Sequence, residues 1–373
     1  MMSLPDFVCP ADGTRVRAGS LAWCCPVCRG PLDLDFHPTP TDLKALAGRV
    51  NSLWRYAGSL PLAAPEVSLG EGRTPLVELT ETITAKLDFL MPTLSFKDRG
   101  AVLLAELARR LAPERVVADS SGNAGTAVAA YTARAGLDCT VYVPATTSPK
   151  KLEQIRAHGA HIEAVPGDRE ATALAARAAA DEPGTFYASH VHNPYFLHGT
   201  KTYVLELWED LGGRLPDVLV VPVGNGTLLL GAALALRELH SAGQIGRFPA
   251  LYGVQSAAVA PVAAAWAEGA ADLPAEPYPA RPTYAEGIAI PRPPRARQIL
   301  AAVRQFGGGF LTVPDPAIAS AQRDLAARGL FVETTAAVCW AAVRGGRFGE
   351  RSVAVPLCGA GVKSGVVPEP RWA

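Results

Sequence analysis

The stretch Ser95-Phe96-Lys97-Asp98-Arg99-Gly100 decides how the rest of this chain is interpreted. It lies between residues 87–90, which we expect to be extended, and residues 101–111, whose pattern predicts a helix. Lys97 is therefore expected at a strand-to-helix junction, near unpaired N–H groups and the positive end of a helix dipole. That position disfavours the protonated amine and favours a reactive Schiff base. Lysines at helix starts are also common on surfaces, so the assignment depends on the other turns.

The chain beyond this stretch alternates short apolar strands with helices. Residues 116–118 lead into the turn Ser120-Ser121-Gly122-Asn123, and residues 218–223 lead into the turn Gly224-Asn225-Gly226-Thr227. Strands followed by helices predict parallel sheets whose ligand-binding turns lie at the carboxyl ends of the strands. The predicted fold class is α/β, with two open parallel-sheet domains, helices on both faces and a small N-terminal zinc-ribbon-like segment.

Composition narrows the class of protein. The chain has 373 residues, which suggests two or three domains, and 35 basic residues balance 35 acidic ones. A net charge of zero argues against nucleic acid or an anionic membrane as the main partner. No apolar run reaches the roughly 18 residues of a membrane span. Residues 1–6 show neither the basic nor the apolar region of a secretory signal, so a cytoplasmic location is expected.

The seven cysteines form no disulfide-like framework, which is consistent with a reducing compartment. Cys9 and the pair Cys25 and Cys28 resemble half of a zinc ribbon, and we take these three as candidate zinc ligands. A full ribbon has a further cysteine where Asp12 stands. A remnant ribbon that folds without metal is the alternative. The fourth ligand is left open among three residues, Cys24, Asp12 and His37.

The two small-residue turns suit two different anionic groups. The turn 224–227 offers backbone N–H groups at a helix start, which is how a phosphate is bound. A dinucleotide fingerprint is excluded because Leu229 stands where its third glycine belongs. The turn 120–123 offers two hydroxyls and a carboxamide, which suit a substrate carboxylate and a phenolic oxygen. A bare glycine turn and an ordinary helix N-cap are the respective alternatives.

Together with Lys97, these turns resemble the threonine-synthase branch of the pyridoxal-phosphate enzymes, which share the tryptophan-synthase β-subunit fold. The motifs follow the family's order over about residues 66 to 365, and an N-terminal half ribbon also occurs in many family members. The matching motifs are Gly70-Glu71-Gly72-x-Thr74-Pro75-Leu76, Pro92-Thr93-x-Ser95-Phe96-Lys97-Asp98-Arg99-Gly100, Ser121-Gly122-Asn123, Asn193-Pro194-Tyr195-Phe196-x-x-Gly199-x-Lys201-Thr202, Pro222-Val223-Gly224-Asn225-Gly226 and Cys358-Gly359-x-Gly361-x-Lys363.

The resemblance implies a role for each matching residue. Lys97 is the catalytic residue, which holds pyridoxal 5'-phosphate as a Schiff base and moves the proton at the substrate Cα. Asn123 contacts the phenolic oxygen of the cofactor, and Cys358 falls where the family has a Ser or Thr facing the ring nitrogen. The rest of the implied cofactor site is Phe96, Gly224, Asn225, Gly226, Thr227, Glu286 and Gly287. The implied substrate site is Ser95, Ser120, Ser121, Gly122 and Ala124.

Departures from the family pattern leave the substrate open. Leu94 replaces the usual glycine before Ser95, and Ala124 stands where threonine synthases have a threonine near the substrate phosphate. Arg169 begins a helix and either meets an anionic group or remains solvated. Because a thiol does not keep the ring nitrogen protonated as an aspartate does, chemistry at a leaving group beyond Cα is favoured.

The resemblance therefore predicts a lyase or transferase that eliminates or replaces a group at Cβ or Cγ of a small amino acid. The nearest named reaction converts O-phosphohomoserine to threonine. The alternatives are a serine or threonine deaminase, a phosphoserine-using synthase, a specialised biosynthetic enzyme and a non-catalytic relative. A homodimer is expected. The predicted domains are 1–36 for the ribbon-like segment, 95–195 for a smaller domain, and 37–94 with 196–373 for a larger one.

Overall fold

The computed structural model describes residues 4–63, 65–276 and 278–367, so the ends of the predicted domains at 1 and 373 lie outside the described residues. The chain forms two compact units. The first unit comprises Met1–Arg73 and Met91–Leu205, and the second comprises Thr74–Leu90 and Glu206–Ala373. Residues 37–73 thus group with the first unit, whereas the predicted larger domain included them; the predicted domain boundaries stay a prediction.

The strands are short and are numbered in chain order. They are β1 (Phe7–Val8), β2 (Arg15–Val16), β3 (Asp33–Leu34), β4 (Leu76–Glu78), β5 (Ile83–Lys86), β6 (Arg115–Ala118), β7 (Cys139–Pro144), β8 (His161–Val165), β9 (Thr185–Tyr187), β10 (Val218–Pro222), β11 (Ala250–Ser256), β12 (Gly309–Val313) and β13 (Val353–Pro356).

The α-helices alternate with these strands through most of the chain. They are α1 (Asp98–Leu111), α2 (Asn123–Arg134), α3 (Pro149–Ala157), α4 (Arg169–Ala180), α5 (Pro194–Thr200), α6 (Thr202–Asp210), α7 (Thr227–Ser241), α8 (Pro261–Ala267), α9 (Ala296–Gln305), α10 (Asp315–Ala327) and α11 (Thr334–Val343). Short 3-10 helices span Lys44–Leu46, Leu53–Ser59, Asp88–Leu90, Glu286–Ile288 and Gly361–Lys363.

The first unit contains a parallel four-stranded sheet in the order β8-β7-β6-β9. Its core packs the apolar faces of α1 and α2 against the inner strands β6 and β7, and α1 is buried along most of its length. A separate antiparallel sheet, β2-β1-β3, forms the N-terminal segment. Phe7, Cys9 and Cys25 of this segment belong to the same buried cluster as α1, so the segment is part of the first unit's core.

The second unit contains a six-stranded sheet in the order β12-β11-β10-β13-β5-β4. Strand β10 is completely buried, as its continuous apolar sequence predicts for a central parallel strand. The α/β class with helices on both faces is confirmed. The sheet is mixed rather than purely parallel, because β4 runs antiparallel to β5 at one edge. A four-residue connection between β4 and β5 allows only an antiparallel return, whereas parallel strands need a long crossover.

The prediction of an extended run at 87–90 is wrong, because Asp88–Leu90 forms a 3-10 turn. The buried Asp88 carboxylate accepts a hydrogen bond from the Thr74 hydroxyl at 2.7 Å, and the Leu90 N–H donates to the carbonyl of Leu87 at 3.1 Å. These side-chain and local backbone bonds replace the ladder that an extended run would need.

The part of the chain that the structure describes contains no helix with the length and apolar character that crossing a membrane requires.

Candidate active site

Lys97 immediately precedes α1 in the first unit, and its backbone is already helical, with φ −62° and ψ −25°. Its carbonyl accepts hydrogen bonds from the N–H groups of Gly100 at 3.1 Å and Ala101 at 2.9 Å. The Lys97 Nζ lies 4.3 Å from the centre of the Phe96 ring and 5.8 Å from the centre of the Phe196 ring. The predicted helix start is confirmed, and the amine is half-buried against two aromatic rings that restrict its contact with water.

The hydroxyl of Ser95 lies two residues before Lys97. Ser95 is fully buried, and its Oγ has no hydrogen-bond partner within the described residues. Leaving a buried hydroxyl unsatisfied costs about 1–3 kcal/mol, so such a group is unusual unless a bound ligand completes its hydrogen bond. The Ser95 hydroxyl therefore fits a site that holds a polar small molecule.

The residue before Ser95 is strained. Leu94 has φ +63°, in the left-handed region, which costs an ordinary residue about 1–2 kcal/mol. The conformation explains why a glycine suits this position. The neighbouring Thr93 holds the turn: both its N–H, at 2.7 Å, and its hydroxyl donate to the buried carboxylate of Asp98. Backbone strain beside a candidate catalytic lysine is typical of functional turns.

The serine turn connects β6 to α2 in the same unit. Ser120 is buried and its Oγ accepts a hydrogen bond from the Gly122 N–H at 3.3 Å, while Ser121 and Asn123 are half-buried. Gly122 is the N-cap of α2, and no side chain caps this helix. The alternative that these residues are an ordinary side-chain N-cap is therefore wrong. Ala124, in the first turn of α2, is buried.

His190 is a residue that the sequence analysis missed. Strand β9 pairs with β6, and the Ala188 N–H donates to the Val117 carbonyl at 2.8 Å, so the segment after β9 runs beside the chain entering the serine turn. His190 is buried, and its ring centre lies 5.9 Å from that of Phe196, the ring that Lys97 also approaches. A lone histidine on an apolar segment resembles a core residue, and only its nearness to the Asn193-Pro194 motif marked it.

Electrostatics keep His190 neutral. Burial lowers the pKa of its imidazole well below the usual value, and the positive charge of Lys97 is the next largest cause. Arg169, the first residue of α4, and His192 lower this pKa further. The side chain of Arg169 is itself exposed, which agrees with the solvated alternative. A neutral imidazole beside a cationic amine offers one donor and one acceptor nitrogen to a ligand.

Because His190 is buried and neutral, we expect it to make the folded state sensitive to acid. Its pKa is lower in the folded than in the unfolded chain, where it is about 6.5, so the stability is present above that value and is lost as pH falls below it. The free energy of unfolding should fall by up to about 1.4 kcal/mol per pH unit for this one proton. Denaturant unfolding of His190→Asn between neutral and acidic pH measures the difference from the parent chain.

His161→Asn is the control for this measurement, because His161 lies exposed on the edge strand β8 and keeps its water in both states. Its pH dependence should match that of the parent chain. A His190→Asn variant that is as acid-sensitive as the parent chain would contradict the assignment of His190.

The glycine turn connects β10 to α7 in the second unit. Gly226 is the N-cap of α7 and adopts φ +74°, and α7 continues for 15 residues. A Cβ atom added at Gly226 would lie 2.3 Å from the side chain of Ile299, and one added at Gly224 would lie 2.9 Å from the backbone of Ile288. Only glycine fits at either position. The turn therefore presents bare backbone at a long helix N-terminus, as a phosphate site requires.

The other predicted residues of the second unit lie around this turn. Gly287 lies in the short helix that approaches Gly224, and its N–H donates to the hydroxyl of Thr335 at 3.1 Å. Glu286, in the same short helix, is exposed. Thr227 is buried and Asn225 is half-buried.

Cys358 follows β13, which is the neighbour of β10, so the cysteine and the glycine turn follow adjacent parallel strands. Cys358 is buried, and its thiol donates to the Pro356 carbonyl at 3.9 Å. The Glu333 N–H donates to the carbonyl of Gly359 at 2.9 Å, and a Cβ at Gly359 would lie 2.3 Å from the Glu333 carboxylate. The sequence analysis missed this carboxylate beside the Cys358 turn, because no motif contains Glu333.

The predicted residues thus form one group in each unit. The first unit brings together the Lys97 turn and the serine turn, and the second unit brings together the glycine turn, Gly287 and Cys358. The candidate zinc ligands lie in the N-terminal segment of the first unit, where Cys9, Cys25 and Cys28 cluster with Asp12.

Two comparisons relate the sequence to known proteins. Residues 67–359 match the sequence model of a family described as pyridoxal-phosphate dependent enzyme. The chain is 31% identical over 348 residues to threonine synthase of Methanosarcina acetivorans, covering 90% of this chain and 85% of the relative. It is 35% identical over 312 residues to threonine synthase of Mycobacterium leprae, covering 80% of this chain and 83% of the relative.

Solved structures show the same fold. The threonine deaminase of the bacterium abbreviated T.th. is 29% identical, with a TM-score of 0.65, covering 78% of this chain and 92% of that chain. Maize serine racemase, at 22% identity, has a TM-score of 0.67 over 78% of this chain and 88% of that chain, and this likeness concerns the fold alone.

Proposed function

Because this chain belongs to the family of pyridoxal-phosphate dependent enzymes and is a threonine synthase-like lyase, we propose that it eliminates or replaces a group at Cβ or Cγ of an amino acid. Conversion of O-phosphohomoserine to threonine is the first candidate reaction. One observation carries the proposal. A half-buried Lys97 amine, two aromatic rings and a buried Ser95 hydroxyl without a partner among the described residues lie together at the start of α1.

Pyridoxal phosphate, when bound, supplies an electron sink for the pair left at the substrate Cα. Lys97 is the residue proposed to hold it through Nζ and to move the proton at the substrate Cα. The aromatic faces of Phe96 and Phe196 support this role, because they limit the water that competes for the amine. Asn123, in the first turn of α2, is proposed to donate an amide N–H to the phenolic oxygen of the cofactor.

The phosphate of the cofactor is assigned to Gly224, Asn225, Gly226 and Thr227. The N-terminus of α7 offers the N–H groups that have no partner within a helix, together with the positive end of the helix dipole, and both favour a dianion. Glu286 and Gly287 are proposed to border this part of the cofactor site.

Cys358 is proposed to face the ring nitrogen. A thiol is a weak hydrogen-bond donor and does not hold a proton on a pyridine nitrogen as a carboxylate does. The chain's own residues therefore favour expulsion of a leaving group beyond Cα over reactions that need full delocalisation into the ring.

The substrate carboxylate is assigned to the turn Ser120-Ser121-Gly122, whose backbone and hydroxyl donors lie at the carboxyl end of β6. Ser95 is proposed to complete its hydrogen bond with bound substrate, and Ala124 to border the same site. His190, neutral and beside Phe196, is proposed to contact the substrate side chain.

The proposed reaction is tested by incubating the purified enzyme with O-phosphohomoserine, O-phosphoserine, serine and threonine. We expect phosphate release and threonine formation from O-phosphohomoserine, and an altered visible spectrum on mixing. A threonine deaminase reaction is the second candidate, because a solved enzyme of that name shares the fold at 29% identity. Release of ammonia from threonine, with no phosphate released from O-phosphohomoserine, would replace the first candidate by the second.

We also propose that the enzyme acts as a homodimer in the cytoplasm and that its N-terminal segment is zinc-ribbon-like, with Cys9, Cys25 and Cys28 as ligands. The antiparallel sheet β2-β1-β3 and the clustering of these cysteines support the last proposal. Sedimentation of the purified chain tests the dimer, and a monomer at micromolar concentration would exclude it.

A further inference from the structure

The N-terminal segment contains two turns with one backbone pattern. In the turn 9–14, the N–H of the first residue donates to the carbonyl of the sixth at 2.8 Å, and the N–H of the fifth donates to the carbonyl of the first at 2.9 Å. The turn 25–30 makes the same two hydrogen bonds, both at 2.9 Å. The fifth residue is left-handed in each turn, with φ +74° at Gly13 and φ +59° at Arg29. The two turns are therefore structural repeats.

This repetition pairs the side chains of the two turns. Cys9 and Cys25 are the first residues, and Asp12 and Cys28 are the fourth residues. Two turns that each present side chains at the first and fourth positions form the usual frame of a four-ligand zinc site. Asp12 thus presents a carboxylate where the second turn presents a thiol.

The distances within the cluster match a metal tetrahedron. The Sγ atoms of Cys9 and Cys28 are 3.5 Å apart, and the Cys25 Sγ lies 3.7 Å and 3.4 Å from the two carboxylate oxygens of Asp12. The four ligand atoms all lie within 4.8 Å of one another. Zinc bonds of about 2.3 Å to sulfur and 2.0 Å to oxygen give tetrahedral edges of about 3.8 Å between sulfurs and about 3.5 Å between sulfur and oxygen.

We propose that the N-terminal segment binds one Zn²⁺ in a closed tetrahedral site with three thiolates and one carboxylate, formed by Cys9, Asp12, Cys25 and Cys28. Three thiolates select zinc over the oxygen-seeking ions magnesium and calcium. Four protein ligands leave no position open for substrate, so the metal is structural. The proposal is independent of the proposed function.

The structure decides among the three candidates for the fourth ligand. Cys24 is buried outside the cluster. The His37 side chain is 94% exposed, and its Nε2 lies 3.5 Å from the carboxylate of Asp35. Asp12 alone of the three lies within the cluster of ligand atoms.

The metal would brace an edge of the first unit. Trp23 and Arg29 flank the second turn, and both bind Asp181 at the end of α4, at 2.9 Å and 2.8 Å. The Trp23 ring also packs edge-on against Tyr187 of β9 at 5.4 Å and against His192 at 5.1 Å. Fixing the turn by a metal therefore fixes these contacts to the strand that leads to the candidate active site.

The experiment measures metal in the full-length purified chain with its cysteines reduced. We expect about one zinc per chain by elemental analysis, and intense thiolate-to-metal bands and tetrahedral ligand-field bands when Co²⁺ replaces it. Asp12→Ala should lose zinc to a chelator at least about tenfold faster, because even an outer-shell change costs about 10- to 100-fold in affinity. The controls Cys24→Ser and Asp42→Ala change a buried thiol and an exposed carboxylate outside the cluster and should retain zinc as the parent does.

Two results would overturn the proposal. The first is a reduced parent chain without zinc that also fails to take up Co²⁺. The second is an Asp12→Ala chain that keeps zinc and the parent cobalt spectrum, which would remove Asp12 from the site. If Asp12→Ala does not fold, Asp12→Cys decides: a cobalt spectrum shifted towards four thiolates supports Asp12 as a ligand, and an unchanged spectrum refutes it.

Discussion

Lys97→Ala is expected to abolish the visible absorption band of the enzyme loaded with pyridoxal phosphate and to lower kcat by about 10³-fold or more. The physical reason is that Lys97 supplies both the covalent attachment of the cofactor and the proton transfer at the substrate Cα, and general acid–base catalysis alone contributes about 10²–10⁴-fold. Absorption spectra after loading, and turnover with the substrate found in the product screen, measure the two effects.

Lys150→Ala is the matched control, because Lys150 also lies at a helix start but is exposed on α3. It should retain both the band and the activity. A Lys97→Ala chain that remains folded and keeps the parent spectrum would show that the cofactor is held elsewhere.

Gly226→Ala is expected to weaken cofactor binding by about 10- to 100-fold. The new Cβ would lie 2.3 Å from Ile299, and φ +74° strains any residue with a side chain, so the turn must shift away from the phosphate. Losing one hydrogen bond to a charged group costs about 1.5–3 kcal/mol, which corresponds to this change in affinity. Titration of the cofactor-free enzyme with pyridoxal phosphate, followed by absorption, gives the dissociation constant.

Gly243→Ala separates the two causes. Gly243 has nearly the same backbone conformation, with φ +68°, but an added Cβ meets nothing within 4 Å. Its stability should fall through backbone strain while its affinity for the cofactor stays at the parent value. Equal affinities in Gly226→Ala and Gly243→Ala would contradict the assignment of the phosphate to the glycine turn.

The sequence was sufficient to predict elements whose physics is local. The apolar run at 218–223 predicts a buried central strand, and the small residues that follow it predict a helix start with bare backbone; both are observed in β10 and α7. The start of α1 at Lys97 follows from the helical pattern beyond it. These features depend on hydrophobic pattern and turn chemistry within a few residues.

Features that depend on distant partners were missed. The 3-10 turn at Asp88–Leu90 depends on a side-chain bond to Thr74, fourteen residues earlier. His190 gains its environment from Lys97 and Phe196, and Glu333 reaches the Cys358 turn through Gly359. Pattern within one segment contains no record of such contacts, because they form only when separate strands and helices pack.

The choice of the fourth zinc ligand shows the same division. The sequence supplied Cys9, Cys25 and Cys28 with three candidates for the fourth position. The repeated hydrogen bonds of two turns, which residue types alone do not reveal, give Asp12 the place equivalent to Cys28. The three-dimensional structure therefore adds geometry to a set of residues that the sequence had already limited.

The central claim is that Lys97 holds the cofactor, and reduction with borohydride followed by peptide mapping tests it most directly. The enzyme is loaded with pyridoxal phosphate, reduced and digested, and the modified peptide is located by mass spectrometry. We predict that the reduced cofactor is attached to Lys97, and that prior incubation with an amino-acid substrate lowers the yield. Attachment to a different lysine, or an unmodified Lys97 in chains that carry the cofactor, would contradict this account.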